Sequence, residues 1–156
     1  MHFQITPLQA EAFEPLFTLT DAELAARNAC RQQVTERPGT PCRVSLEDAR
    51  IGETVILLNH MHLPGTTPFR ASHAIFVRQG ARTAKLAVGE VPDVIRSRLI
   101  SLRFFDRADM MIHADVVAGE CVADATAAAF ATPDIAYGHL HYAKPGCFAA
   151  SVHPVT

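Results

Sequence analysis

Apolar residues along this chain gather in short runs divided by turn-forming residues, the arrangement of strands and brief helices rather than of long helices. The run Thr54-Val55-Ile56-Leu57-Leu58 has the continuous apolar character of a buried strand, and Ala74-Ile75-Phe76-Val77 predicts another. Residues 99–105 and 111–117 predict a hairpin closed by Asp106-Arg107-Ala108-Asp109. Residues 135–142 and 147–152 predict a second, around the loop Lys144-Pro145-Gly146. A short extended piece is expected at 43–46, after the turn signal Pro38-Gly39-Thr40-Pro41.

Helix signals are local and brief. Thr6-Pro7-Leu8-Gln9 reads as a capped start, with Pro15 ending the first helix near Glu14. Thr20-Asp21-Ala22-Glu23 repeats the capping signature and predicts a second short helix to about Ala29. The alanine-rich stretch 120–131, stopped by Thr132-Pro133, predicts a third. Regular βαβ alternation is missing, so the expected fold is an α+β single domain over residues 1–156, a mostly antiparallel sheet with about three helices.

Composition narrows the function classes. With 49% hydrophobic residues, 19% charged and a formal net charge of −2, the 156-residue chain has the makings of a packed core but no cationic surplus for a phosphate backbone. Nucleic acid is therefore not expected as a partner. A membrane is not expected either, since no apolar run approaches bilayer length, and without a recognisable leader a cytoplasmic location is expected. Cys30, Cys42, Cys121 and Cys147 are dispersed, with no Cys-x-x-Cys pair, which sets aside a zinc ribbon or a thioredoxin-like motif.

The chemistry-bearing feature is a doubled His-x-His. His60-Met61-His62 and His139-Leu140-His141 each end or occupy a strand-like run, and residues two apart on a strand face the same way. Each pair can thus aim two imidazoles at one point, and the four are candidate ligands for a divalent transition metal. No carboxylate is interleaved with either pair. A second candidate is an anion-binding cleft at Arg43, Arg70 and His73, because a guanidinium matches a carboxylate or phosphate with two parallel donors. Cys42 and Cys147 are candidate reactive thiols, weighed against the commoner role of cysteine as a small buried side chain. Asp106 and Asp109 lie in a turn that suits local backbone hydrogen bonding better than acid-base work.

Three segments resemble a known bacterial group: Pro41-Cys42-Arg43, the stretch from Asn59-His60-Met61-His62 to Val77, and His139-Leu140-His141-Tyr142-Ala143-Lys144-Pro145-Gly146-Cys147. The chain is similar to the domain of unknown function 1203 family over nearly its whole length. That resemblance implies a compact stand-alone bacterial domain and brings no activity or catalytic residue with it. Both His-x-His pairs lie inside the resembling segments. The residues themselves favour a protein that binds an anionic small molecule or partner in a polar Arg/His-lined cleft. Metal-dependent hydrolysis through the histidine pairs is the alternative. A homo-oligomer without catalysis, pairing through an edge strand at 147–152, is the third reading.

Overall fold

The structure is a computed structural model that describes residues 2–156. Its strands are β1 (His2–Thr6), β2 (Ala29–Gln33), β3 (Thr54–Leu63), β4 (Ala71–Arg78), β5 (Leu99–Phe105), β6 (Met111–Ala118), β7 (Tyr137–Tyr142) and β8 (Phe148–Val155). Its α-helices are α1 (Asp21–Ala25), α2 (Asp93–Arg96) and α3 (Val122–Ala129), with short 3-10 turns between. The strands form a five-stranded sheet, β1-β8-β7-β5-β6, and a three-stranded sheet, β2-β3-β4. Every strand pairing in both is antiparallel. The expected α+β class with mostly antiparallel sheet is therefore the observed one.

The five-stranded sheet buries one face against α3, where Leu102, Phe104, Leu140 and Val152 pack with Val122, Ala129 and Phe130 in the main core. Alternation does the sorting: along β5, Ile100, Leu102 and Phe104 point to that core, while Ser101 and Arg103 point the other way. That second, more polar face looks toward the end of the three-stranded sheet. Phe69, in the loop after β3, meets Phe105 there edge to face at 6.5 Å between centroids. Among the described residues no helix is long and apolar enough to cross a membrane.

Several expectations needed correction. The first helix is absent: Phe3 and Ile5 alternate inward in β1, which pairs with β8, and Pro15 sits inside a 3-10 turn over Glu14–Thr18. Pairing with a central strand outweighed the local helix signal at Thr6. The capping box at Thr20 does form, with the Glu23 N–H donating to Thr20 Oγ1 at 3.2 Å and the Thr20 N–H donating to Glu23 Oε2 at 2.7 Å. Yet α1 stops early, because Asn28 adopts a left-handed φ of 54° and turns the chain into β2. Residues 43–46 form turns rather than a strand. The segment 147–152 is no edge strand, since β8 lies between β1 and β7, so it offers no free edge to a second copy.

Candidate functional site: a three-histidine cluster between the sheets

His139 and His141 alternate with Leu140 on β7, so both imidazoles emerge on the polar face of the five-stranded sheet. They are 5% and 1% exposed. His62 comes from the other sheet. In the β3–β4 ladder Met61 pairs with Ser72 and Leu63 with Ala71, leaving His62 as the extra residue of a β-bulge. A bulge breaks the strict alternation of a strand and re-aims the side chain it carries. Here His62 reaches the facing sheet, 5.0 Å from His141 and 5.8 Å from His139 between ring centroids. One nitrogen from each of the three rings lies within 4.8 Å of the others.

Phe148 organises the cluster. Its ring stacks on His62 at 5.3 Å and meets His139 and His141 edge to face at 5.1 and 5.8 Å. Three ring nitrogens are left without a hydrogen-bond partner although buried: Nδ1 of His62, Nδ1 of His139 and Nε2 of His141. Buried polar atoms are nearly always paired, so three orphans converging in one cluster call for a common partner. His141 adds a directional constraint. Its Nδ1 donates to the Gly146 carbonyl at 3.0 Å, which leaves Nε2 with its lone pair free.

Electrostatics keep these rings neutral. Burial above all, with the Arg103 guanidinium among the lesser causes, pushes His139 and His141 down to about 3 and His62 down to about 4. Neutral imidazole is the metal-binding form. Arg103 faces His139 directly across the β5–β7 ladder, and Ser101 faces His141. On the far side of His139, Tyr137 donates its hydroxyl hydrogen to Asp109 Oδ1 at 2.6 Å, and burial raises the phenol well above its ordinary range.

Of the four predicted metal ligands, three converge and one does not. His60 precedes the bulge, stays in regular register opposite His73, and lies between Phe13 and Phe148 at 6.0 Å from each ring. The cleft expected at Arg43, Arg70 and His73 is not assembled. Arg43 is 1% exposed and spends its guanidinium internally: Nε donates to the Phe148 carbonyl at 2.7 Å, Nη1 to the Pro41 carbonyl, and Nη2 to Cys147 Sγ at 2.9 Å. It also lies over the Tyr142 ring, 4.8 Å from the centroid. Buried in this way it fastens β8 from behind the cluster and is closed to a ligand. Arg70 is exposed and donates to the Pro64 carbonyl of its own loop. His73 is half-buried on β4, its Nδ1 3.3 Å from the Ala74 carbonyl.

Cys42 and Cys147, the candidate reactive thiols, are both buried: Cys42 Sγ accepts from the Arg78 backbone N–H at 3.3 Å and Cys147 Sγ from Arg43 Nη2 at 2.9 Å. Arg103 on β5 stands beside the cluster with a weaker mark in the sequence. The available signal was a pair of polar residues, Ser101 and Arg103, alternating with large apolar ones along β5. A cavity of about 290 Å³ lies on the opposite sheet face, between β5, β6 and α3, and one of about 760 Å³ lies by the β5–β6 turn. Neither is lined by a histidine of the cluster.

The sequence pattern of the family described as "Protein of unknown function (DUF1203)" matches residues 39–153. The chain belongs to the DUF1203 family. That match contains all three clustered histidines together with Arg103, Phe148 and Gly146. β1, which closes one side of the five-stranded sheet, precedes the DUF1203 segment. No curated protein and no solved structure matches the chain.

Proposed function

We propose that the protein binds a divalent transition-metal ion through His62, His139 and His141 and uses it to activate water for hydrolysis. The observation that carries this reading is the convergence of three imidazoles from two different sheets, each of which also carries a buried ring nitrogen without a hydrogen-bond partner. Imidazole donors suit zinc, iron, nickel or copper, and three protein ligands with a further position free are the pattern of catalytic rather than structural sites. Zinc at about 2.0–2.1 Å from each nitrogen would draw the rings inward from their present spacing by side-chain rotation. Such an ion lowers the pKa of bound water and supplies hydroxide near neutral pH.

The chain's own residues support that role. The Gly146 carbonyl holds His141 in the tautomer that leaves Nε2 free to ligate, the usual outer-shell arrangement of a metal-bound histidine. Phe148 packs against all three imidazoles and supports their ring planes. Access is expected from the side of His62 and Arg103, the half-buried members of the group.

Elemental analysis of untagged protein tests the reading. It should find close to one transition-metal ion per chain, with the content falling severalfold in His139→Ala and His62→Ala but not in His60→Ala. Folded wild-type protein that neither carries a metal nor takes up zinc, iron, nickel or copper from micromolar solution would sink it.

A further inference from the structure

Arg103 is unlike the other shielded arginines of this protein. Arg98 pairs with Asp48 at 2.7 Å, Arg78 with Glu53 at 3.5 Å and Arg31 with Asp21 at 2.7 Å, while buried Arg43 is held by two carbonyls and a sulfur. Arg103 is half-buried and, among the described residues, has no carboxylate partner. Among the described residues its one hydrogen bond runs from Nε to Ser101 Oγ at 3.3 Å, which orients the guanidinium and leaves both terminal nitrogens without a partner there. A partly desolvated cation without a counter-charge is costly unless an anion completes it.

Its position tells which anion. Arg103 stands directly opposite His139 on the same sheet face, one alternation from the row that holds His141. A divalent ion on the three histidines would bring the local charge to three positive, against the single carboxylate of Asp109, whose Oδ1 already accepts from Tyr137. None of the three imidazoles supplies negative charge. An anionic ligand would offset the charge that Asp109 and a metal-bound hydroxide leave, and a planar guanidinium fork selects an oxygen pair on carbon or phosphorus.

We propose that the substrate of this centre is a small oxyanion, a carboxylate or phosphate compound, and that Arg103 is the residue that binds its anionic group beside the metal. This rests on the three-histidine metal reading. The anion-binding role expected from the sequence thereby moves from Arg43 and Arg70 to an arginine on β5. Arg103 binds and orients, while His62, His139 and His141 hold the ion.

Cobalt(II)-loaded protein provides the test, because the visible absorption of cobalt reports both uptake and the arrival of an anion. Inorganic phosphate and acetate are titrated separately into wild type, Arg103→Gln and Arg103→Lys, with cobalt content measured for each. The expected result is a saturable spectral change with phosphate, acetate or both in wild type, and the more effective of the two indicates the headgroup. Arg103→Gln should keep its cobalt and lose at least tenfold in anion affinity, and Arg103→Lys should recover part of it. Cobalt-loaded wild type that responds to neither anion at millimolar concentration, or Arg103→Gln that binds as wild type does, overturns the assignment of Arg103 while leaving the metal reading intact. Wild type that takes up no cobalt overturns both. Should Arg103→Gln fail to fold, the Arg103→Lys titration decides alone, since unchanged affinity there contradicts the bidentate role.

Discussion

His141 donates its Nδ1 hydrogen to the carbonyl oxygen of Gly146 at 3.0 Å, across the turn of its own β7–β8 hairpin. The turn is held open by a left-handed φ of 79° at Gly146, and a Cβ there would meet nothing within 4 Å. Gly146→Ala is therefore expected to cost about 1 kcal/mol through backbone strain rather than collision. By disturbing the carbonyl it should also weaken zinc binding about tenfold, the usual effect of losing an outer partner of a ligand. Calorimetric zinc titration beside a thermal melt checks both. A lower melting temperature with unchanged affinity would mean that Phe148 packing alone orients His141.

The histidines make the metal-free protein sensitive to acid. Burial holds His139 and His141 at about 3 and His62 at about 4, below the ordinary histidine value of 6.5. As pH falls below about 6.5 the unfolded chain takes up protons that the folded chain refuses, so stability falls with pH, by up to about 1.4 kcal/mol per pH unit for each fully shielded histidine. His62 contributes less, being half-exposed. Urea midpoints measured from pH 7 to pH 4.5 should drop steadily, and His139→Phe should flatten the decline. A midpoint independent of pH in this window contradicts the neutral-cluster description.

Arg43 is expected to behave as a strut and not as a ligand group. Replacing it with Met would leave the Phe148 and Pro41 carbonyls without their donors inside the protein. Unpaired buried carbonyls cost about 1–3 kcal/mol each, so Arg43→Met should lose about 3 kcal/mol or more. Denaturant unfolding measures this. Little loss, together with the disappearance of stabilisation by phosphate, would instead return Arg43 to a binding role.

Gly65 and Asp109 join the two sheets by close approach. A Cβ on Gly65 would stand 2.3 Å from Asp109 Oδ2, while Thr67 Oγ1 donates to the Asp109 carbonyl at 3.2 Å and Tyr137 holds the carboxylate. Gly65→Ala should destabilise by about 1–3 kcal/mol through overpacking. Adding Asp109→Ala should relieve part of that loss, giving a non-additive double-mutant cycle. Strictly additive single effects would show that the loop moves away without cost.

β5, β6 and α3 were legible because their signals are local: two apolar runs parted by a turn at Asp106 to Asp109, and an alanine run with a proline stop. The same local rule made His139 and His141 legible as a pair, since spacing by two on a strand decides that they share a face. Other residues depend on partners far along the chain. Whether His60 or His62 reaches the cluster depends on a bulge, which is defined only by counting residues against β4. Arg43 looked free for a ligand because its acceptor on Phe148 lies 105 residues away, and Arg103 carried no sign of facing His139. The sequence by itself determined six of the eight strands, the antiparallel α+β class and the His139–His141 pair of the histidine site. Only the tertiary structure decided the third histidine, the burial of Arg43 and the isolation of Arg103, because pairing, burial and charge balance are properties of neighbours in space.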